Sequence, residues 1–222
     1  MEKQITERKD LSFETLFWTF MVGSFAGFCV EVVIMFLRKG YLIIHQGLIY
    51  GPFIPIYGGG AVIMIIIFHY IKDKRPLTVF LLSTIFGGII EYFCSYFQEI
   101  IFGSISWNYS KIPFNFDGRT SIYNAALLGI FGLVFIKHFY PWICKKIRPF
   151  VNETPRKVYN TITWVLVVFM SFNIIISSAA VYRQDERRRH IEATNSAQKF
   201  LDNHYSDTML KQIYNNARPV NK

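Results

Sequence analysis

The sequence predicts an all-α, polytopic membrane protein with about five transmembrane helices. Hydrophobic residues make up 52% of the 222, and aromatics 18%. The apolar residues come in blocks of about 20, the length a helix needs to cross a hydrocarbon core of about 30 Å. Short basic connectors separate these blocks. A transmembrane barrel is excluded, because runs alternating apolar and polar residues are missing from the sequence. The net charge of +9 does not point to nucleic acid: most Lys and Arg flank the apolar blocks, where lipid headgroups and insertion rules account for them.

Residues 1–12 are charged and polar, a cytoplasmic amino-terminal segment ahead of an apolar run too long for a signal-peptide core. The first span is expected over 13–37; it carries Gly23, Gly27 and Glu31 at spacings of four, so a small-residue seam leads to a carboxylate. A loop with His45 and Gln46 ends in the Pro- and Gly-rich run from Tyr50 to Gly60, which breaks regular helix before a second span over 53–71. The connector Lys72-Asp-Lys-Arg-Pro76 precedes a third span over 77–102, and an aromatic-rich polar loop follows. A fourth span covers 121–140 and a fifth 158–182, the latter with no acidic or basic residue in its interior and read as scaffold. The tail, 183–222, is polar, with a weak helical face of Ala193, Ala197, Phe200 and Leu201, read as a small peripheral helix or partly disordered chain. Cys29, Cys94 and Cys144 are scattered, without C-x-x-C spacing, so neither a disulfide framework nor a zinc site is expected.

Orientation follows from Lys and Arg near the span ends. With the amino terminus inside, basic residues favour the cytoplasmic segments. The excess is modest, because Arg183, Arg187, Arg188 and Arg189 fall on the outer side. That cluster would be explained if one apolar block were re-entrant.

The stretch from Gly87 to Arg119 is the chemical centre. Gly87, Glu91, Ser95 and Glu99 share one helix face. A carboxylate in hydrocarbon costs about 2.5 to 3.5 kcal/mol, so this face turns to protein or water. Gly-x-x-x-Glu occurs twice, as Gly27 to Glu31 and Gly87 to Glu91. Pro52-Phe53 follows the first and Pro113-Phe114 the second, each leading to a Gly, Gly58 or Gly118, that opens the next helix. These matches suggest two parallel two-helix repeats plus one scaffold helix, with Glu31 and Glu91 at equivalent depths across one central space.

Three segments in order, GLIYGPFIPIYGGG, IIEYFCSYFQEIIFG and WNYSKIPFNFDGR, resemble the bacterial multi-pass membrane family of putative ABC-transporter type IV permeases. The likeness spans roughly the first 140 residues. Residues matching its pattern include Glu31, Gly47, Gly51, Pro52, Pro55, Tyr57, Gly58, Glu91, Tyr92, Ser95, Glu99, Trp107, Tyr109, Ser110, Pro113, Phe114, Asn115, Gly118 and Arg119. This chain has His45-Gln46 and Ser106-Trp107-Asn108 where the family usually has Asn-Arg and Trp-Trp-Asp, and Ile100 where a Lys is usual. The resemblance implies a transport component in the cell membrane. No G-x-x-x-x-G-K-[ST] occurs in the sequence, so an ATPase would be a separate subunit.

The candidate lining of a substrate or ion pathway is Glu31, Glu91, Ser95, Glu99, Tyr57, Trp107, Tyr109, Asn115 and Arg119. Gly23, Gly27, Gly87 and Gly88 are read as helix-packing positions. For Glu31 and Glu91 the alternative is a helix-to-helix hydrogen bond by a protonated carboxyl. For Glu99 and Arg119 a mutual ion pair is favoured, with Asp117 or an anionic headgroup as other partners for Arg119. Tyr50, Tyr57, Trp107 and Tyr109 also fit an interfacial aromatic belt. His45, His69 and His138 sit singly, so no metal and no cofactor are expected. Two functional classes stay open: a permease or accessory subunit, and an integral-membrane enzyme acting on a lipid or lipid-linked headgroup with Glu31 and Glu91 as acid and base. Expected partners are the bilayer and either an ATPase subunit or further copies of the chain, not nucleic acid.

Overall fold

In a computed structural model, residues 11–42, 44–71, 74–139, 141 and 154–220 are described. Seven α-helices account for most of them: α1 (Phe13–Lys39), α2 (Pro55–Ile71), α3 (Pro76–Phe102), α4 (Ile122–Val134), α5 (Arg156–Arg188), α6 (Ser196–His204) and α7 (Asp207–Ile213). A π-helical turn, Phe135–Phe139, continues α4. Helices α1, α3 and α5 are long and apolar enough to cross a membrane, and α2 and α4 are shorter apolar helices. The chain is an all-α polytopic membrane protein.

The ends of α1 follow local chemistry. The Ser12 hydroxyl accepts the Thr15 N–H at the start, and Gly40 closes the helix at φ 77°, a conformation that needs no Cβ. Apolar side chains such as Val22, Phe25, Val33 and Phe36 stay exposed, as a lipid-facing surface requires.

Two helical hairpins, α1–α2 and α3–α4, repeat the same packing. A Cβ at Gly58 would collide with Phe20 and Ser24, and one at Gly129 with Phe80 and Thr84. Gly27 faces Tyr57 as Gly87 faces Leu128, and Gly23 faces Ala61 as Ser83 faces Gly132. In all three pairs of contacts the first helix advances from 20 to 80, 24 to 84, 27 to 87 or 23 to 83, and the second from 58 to 129, 57 to 128 or 61 to 132. Glu31 and Glu91 share that first register. The match of Gly58 with Gly118 is therefore corrected: Gly118 lies in a turn at φ 67°, and α4 opens at Ile122 behind its Ser121 cap. Gly88 packs against Ala125, so all four glycines read as packing positions meet a neighbouring helix.

This packing sets a test. Gly58→Ala should lower the melting temperature of the detergent-solubilised protein, because overpacking against backbone costs about 1 to 3 kcal/mol; Gly129→Ala should do the same. Gly59→Ala, with nothing within 4 Å of its Cβ, should melt like the parent.

Helix α2 starts far below the end of α1. Ile54 N donates to Ser24 O at 3.0 Å, which leaves residues 25–39, about 22 Å of helix, projecting beyond the start of α2. Likewise α4 starts beside Gly88 and Glu91. The segments 44–54 and 104–121 must therefore descend from the helix ends without helix, the second with only two-residue strands. Irregular backbone at membrane depth survives where protein groups satisfy it, and α5 supplies them for the first segment. The Asn173 amide accepts Tyr50 N at 3.2 Å and donates to Tyr50 O at 2.6 Å, and Ser177 Oγ accepts Ile49 N at 2.9 Å. The fifth helix is thus more than a scaffold. Leu48 is buried with Met21 and Met170, which fixes this segment between α1 and α5.

The tail is an ordered cap on the same end. Leu201, Tyr205 and Leu210 form a core with Ile49 and Ala180, and a short strand Arg218–Pro219 pairs antiparallel with Ser104–Ile105. Of the expected tail face, Leu201 is buried whereas Ala197 and Phe200 are exposed, and Ala193 precedes the helix. Three arginines of the cluster meet acids: Arg183 pairs with Asp202 and Glu186, Arg187 with Asp202 and Asp207, and Arg189 with Asp185, while Arg188 donates to Gln184 Oε1 at 2.9 Å.

Candidate functional site

Each hairpin presents its glutamate to a tyrosine hydroxyl. Tyr57, in the first turn of α2, donates to Glu31 Oε2 at 3.0 Å. Tyr109, in the segment after α3, donates to Glu91 Oε1 at 3.0 Å, and Thr120 Oγ1 donates to the other carboxylate oxygen at 2.6 Å. Neither carboxylate is orphaned, and Glu91 has both oxygens occupied.

The two pairs are within electrostatic reach of each other: the Tyr109 hydroxyl responds to the Glu91 carboxylate it bonds and also to Tyr57 and Arg38. A phenol is protonated at neutral pH and so remains a donor. Glu31 in turn is near enough to act on His45, a ring 6% exposed. Helix α1 thus presents Glu31 to α2 through Tyr57, and α3 presents Glu91 to the second descending segment through Tyr109 and Thr120.

A second cluster lies further along α3, towards its C-terminal end. Arg119 Nη2 pairs with Glu99 Oε2 at 2.6 Å, and its guanidinium lies 5.3 Å from the Tyr96 ring centre and 5.9 Å from that of Tyr92. Tyr92 donates to Asp117 at 2.7 Å. Of the partners open to Arg119 in the sequence, Glu99 holds it. Trp107 Nε1 donates to Arg119 O at 2.8 Å, which orders the loop.

The nine candidate lining residues therefore divide. Glu31 pairs with Tyr57, and Glu91 with Tyr109. Glu99, Arg119 and Trp107 form the second cluster. Ser95 is buried on α3 between the two glutamates of that helix. Asn115 belongs to the loop itself: its amide donates to Ile112 O at 2.8 Å and accepts Gly118 N at 2.9 Å, which holds the turn in which Asp117 and Gly118 adopt positive φ.

Several residues of the site escaped the sequence reading. Thr120 supplies the shortest bond to Glu91, yet reads as an ordinary residue before a helix cap. Asn173 and Ser177 carried a legible signal, two polar residues four apart on one face of an apolar helix. Tyr205, whose hydroxyl meets that of Tyr50 at 2.9 Å, and Asn215, bonded to the His45 ring, belong to the tail and had none. Among the described residues no group of three or more His, Cys, Asp or Glu is placed to hold a metal ion.

A family model described as "Putative ABC-transporter type IV" matches residues 18–178. That match covers α1 to α4 and most of α5, including both glutamates, and stops before the capping tail. No curated protein and no solved structure matches the chain. With most of its length covered, the chain belongs to the family described as Putative ABC-transporter type IV.

Proposed function

We propose that this chain is the membrane permease, or an accessory membrane subunit, of a transport system, with its solute path through the polar region between Glu31 and Glu91. The observation that carries the reading is the pair of tyrosine-bonded glutamates in the same register of two repeated hairpins. Ionisable groups at membrane depth are costly and mark pathways or sites; a paired arrangement facing shared space suits a small polar or charged solute better than helix adhesion alone. Family membership supports a transport role, and the sequence lacks a P-loop, so the ATPase of such a system is another chain.

The orientation that goes with this reading places the amino terminus in the cytoplasm and the descending segments and tail outside. The ion pairs of Arg183, Arg187 and Arg189 leave the count against this orientation unchanged, because insertion responds to Lys and Arg rather than to net charge.

Purification from native membranes in mild detergent tests the assignment. The expected result is co-purification of a chain with a P-loop ATPase motif. Recovery of a modified lipid or lipid-linked headgroup, without an ATPase, would instead favour the enzyme reading.

A further inference from the structure

We infer that residues 213–220 of the tail are a strap that holds the two hairpins together at their loop end, and that its release lets the ends of α1 and α3 move apart about an apolar pivot at the opposite end. The inference concerns how the hairpins are joined and does not rest on the transport reading.

The pivot lies where α2 finishes and α3 starts. There Met64 and Ile67 of the first hairpin pack on Val79 and Ile136 of the second, both buried. Apolar contact is non-directional, so the angle between the hairpins can change without breaking a bond. At the loop end, the bonds of Glu31 and Glu91 each stay within their own hairpin. Among the described residues no hydrogen bond joins α1, α2 or the segment 44–54 directly to α3, α4 or the segment 104–121.

The tail makes that connection. Gln46 N donates to Ile213 O at 3.3 Å, Asn215 Nδ2 donates to Ile44 O at 3.3 Å, and the Asn215 oxygen meets the His45 ring. A turn closed by Ala217 N on Tyr214 O follows. The chain then pairs Arg218–Pro219 with Ser104–Ile105, and Val220 N donates to Gly103 O at 2.9 Å. One short run is thus bonded to the first descending segment at its start and to the end of α3 at its finish. Helix α5 does not duplicate it: α5 bonds the first hairpin through Asn173 and Ser177, but meets the end of α3 only by packing of Asp185 beside Gly103.

The strap is also the part of the tail that can leave. Its attachments are a few hydrogen bonds, and Asn215, Arg218 and Pro219 are exposed; elements of this kind open before a packed core does. The rest of the tail has its own anchor, since Leu201, Tyr205 and Leu210 pack with Ile49 and Ala180. Each hairpin is locked by its glycine seam, Gly58 on Ser24 and Gly129 on Thr84. Two such bodies, joined by apolar packing at one end and by a releasable tie at the other, have opening at the tied end as their soft motion.

The test uses full-length protein with Cys29, Cys94 and Cys144 replaced by serine, spin labels on Leu37→Cys and Ile100→Cys, exposed positions near the ends of α1 and α3, and a protease site inserted between Asn216 and Ala217. Cutting follows folding and purification, so the strap is severed in a native molecule. Pulsed double electron–electron resonance should give one narrow distance before the cut and a longer, broader distribution after it. A second pair, Ile66→Cys and Phe131→Cys, on exposed positions of α2 and α4, should keep its distance throughout. Should the insertion prevent folding, amide exchange of the parent decides: the N–H groups of Gln46 and Val220 should share one protection factor, lower than that of Ile49, which Ser177 holds. An unchanged distance between labels at 37 and 100 after the cut, an equal change in both pairs, or Gln46 and Val220 protected as strongly as Ile49 overturns the inference.

Discussion

Asn173→Leu is expected to destabilise the protein strongly. Asn173 is fully buried and bonds both the N–H and the C=O of Tyr50. Leucine nearly conserves volume and suits an apolar helix, so a hydropathy argument would expect a neutral or stabilising change. The hydrogen-bond argument gives the opposite sign: two backbone groups of the descending segment would lose their partners where water is scarce, each at about 1 to 3 kcal/mol. A drop of about 2 to 6 kcal/mol should therefore appear in thermal or denaturant unfolding of the solubilised protein. Ser177→Ala removes one acceptor, from Ile49 N, and should cost about a third to a half as much. Parent-like unfolding of Asn173→Leu would mean that the 48–50 segment is not held by α5.

Arg183→Met is expected to release the tail. Arg183 is 2% exposed and makes a two-bonded pair with Asp202, at 2.9 Å through both Nε and Nη2, and a third bond to Glu186 at 2.8 Å. Losing these charge-assisted bonds, each worth about 1.5 to 3 kcal/mol, leaves Asp202 with Arg187 and Glu186 with Gln198. Limited proteolysis of the tail should then be faster than in the parent. Acid should reproduce this effect. Hydrogen bonds from Arg183 hold the Asp202 carboxyl below its ordinary pKa, so its contribution is fully present above the unfolded value of about 3.9. That contribution is lost as the pH falls through the lower folded value. Protease protection of the tail should accordingly persist from pH 8 down to about pH 4 and fall below it. Protection unchanged in Arg183→Met would show that apolar contacts of Leu201, Tyr205 and Leu210 suffice to dock the tail.

What could be read in the sequence was whatever depends on local pattern. Ser12 and Gly40 bracket the first helix, apolar runs mark the long spans, and Gly-x-x-x-Glu marks the seam that both hairpins use. Relative depth could not be read. Nothing in the composition of α1 says that its partner begins beside Ser24 rather than beside Lys39, because that is decided by Gly58 seating against Phe20 and Ser24. The same gap misaligned the repeat. The first helix shifts by 60 and the second, from Gly58 to Gly129, by 71, so the second loop is eleven residues longer, and Pro52 to Pro113, a shift of 61, does not occupy the equivalent place. The tail escaped for another reason: its helices are short and polar, and their stability comes from ion pairs with α5 and from Tyr205 against Tyr50, contacts between residues more than a hundred positions apart for the tyrosines. Of the candidate site, the two glutamates and their tyrosines were legible as residue types. Their pairing was not, since it depends on how far each loop descends.

Whether Glu31 and Glu91 line a water-accessible path, rather than joining helices, is tested most directly by thiol accessibility. In a background with Cys29, Cys94 and Cys144 replaced by serine, Glu31→Cys, Glu91→Cys and the lipid-facing Phe93→Cys (Phe93 is 48% exposed) would be treated in intact cells with a charged, membrane-impermeant methanethiosulfonate. A thiol reacts as thiolate, which forms only where water reaches. The account predicts modification at 31 and 91 from the outer side and none at 93. Silence at both 31 and 91, or modification only from the cytoplasmic side, would contradict it.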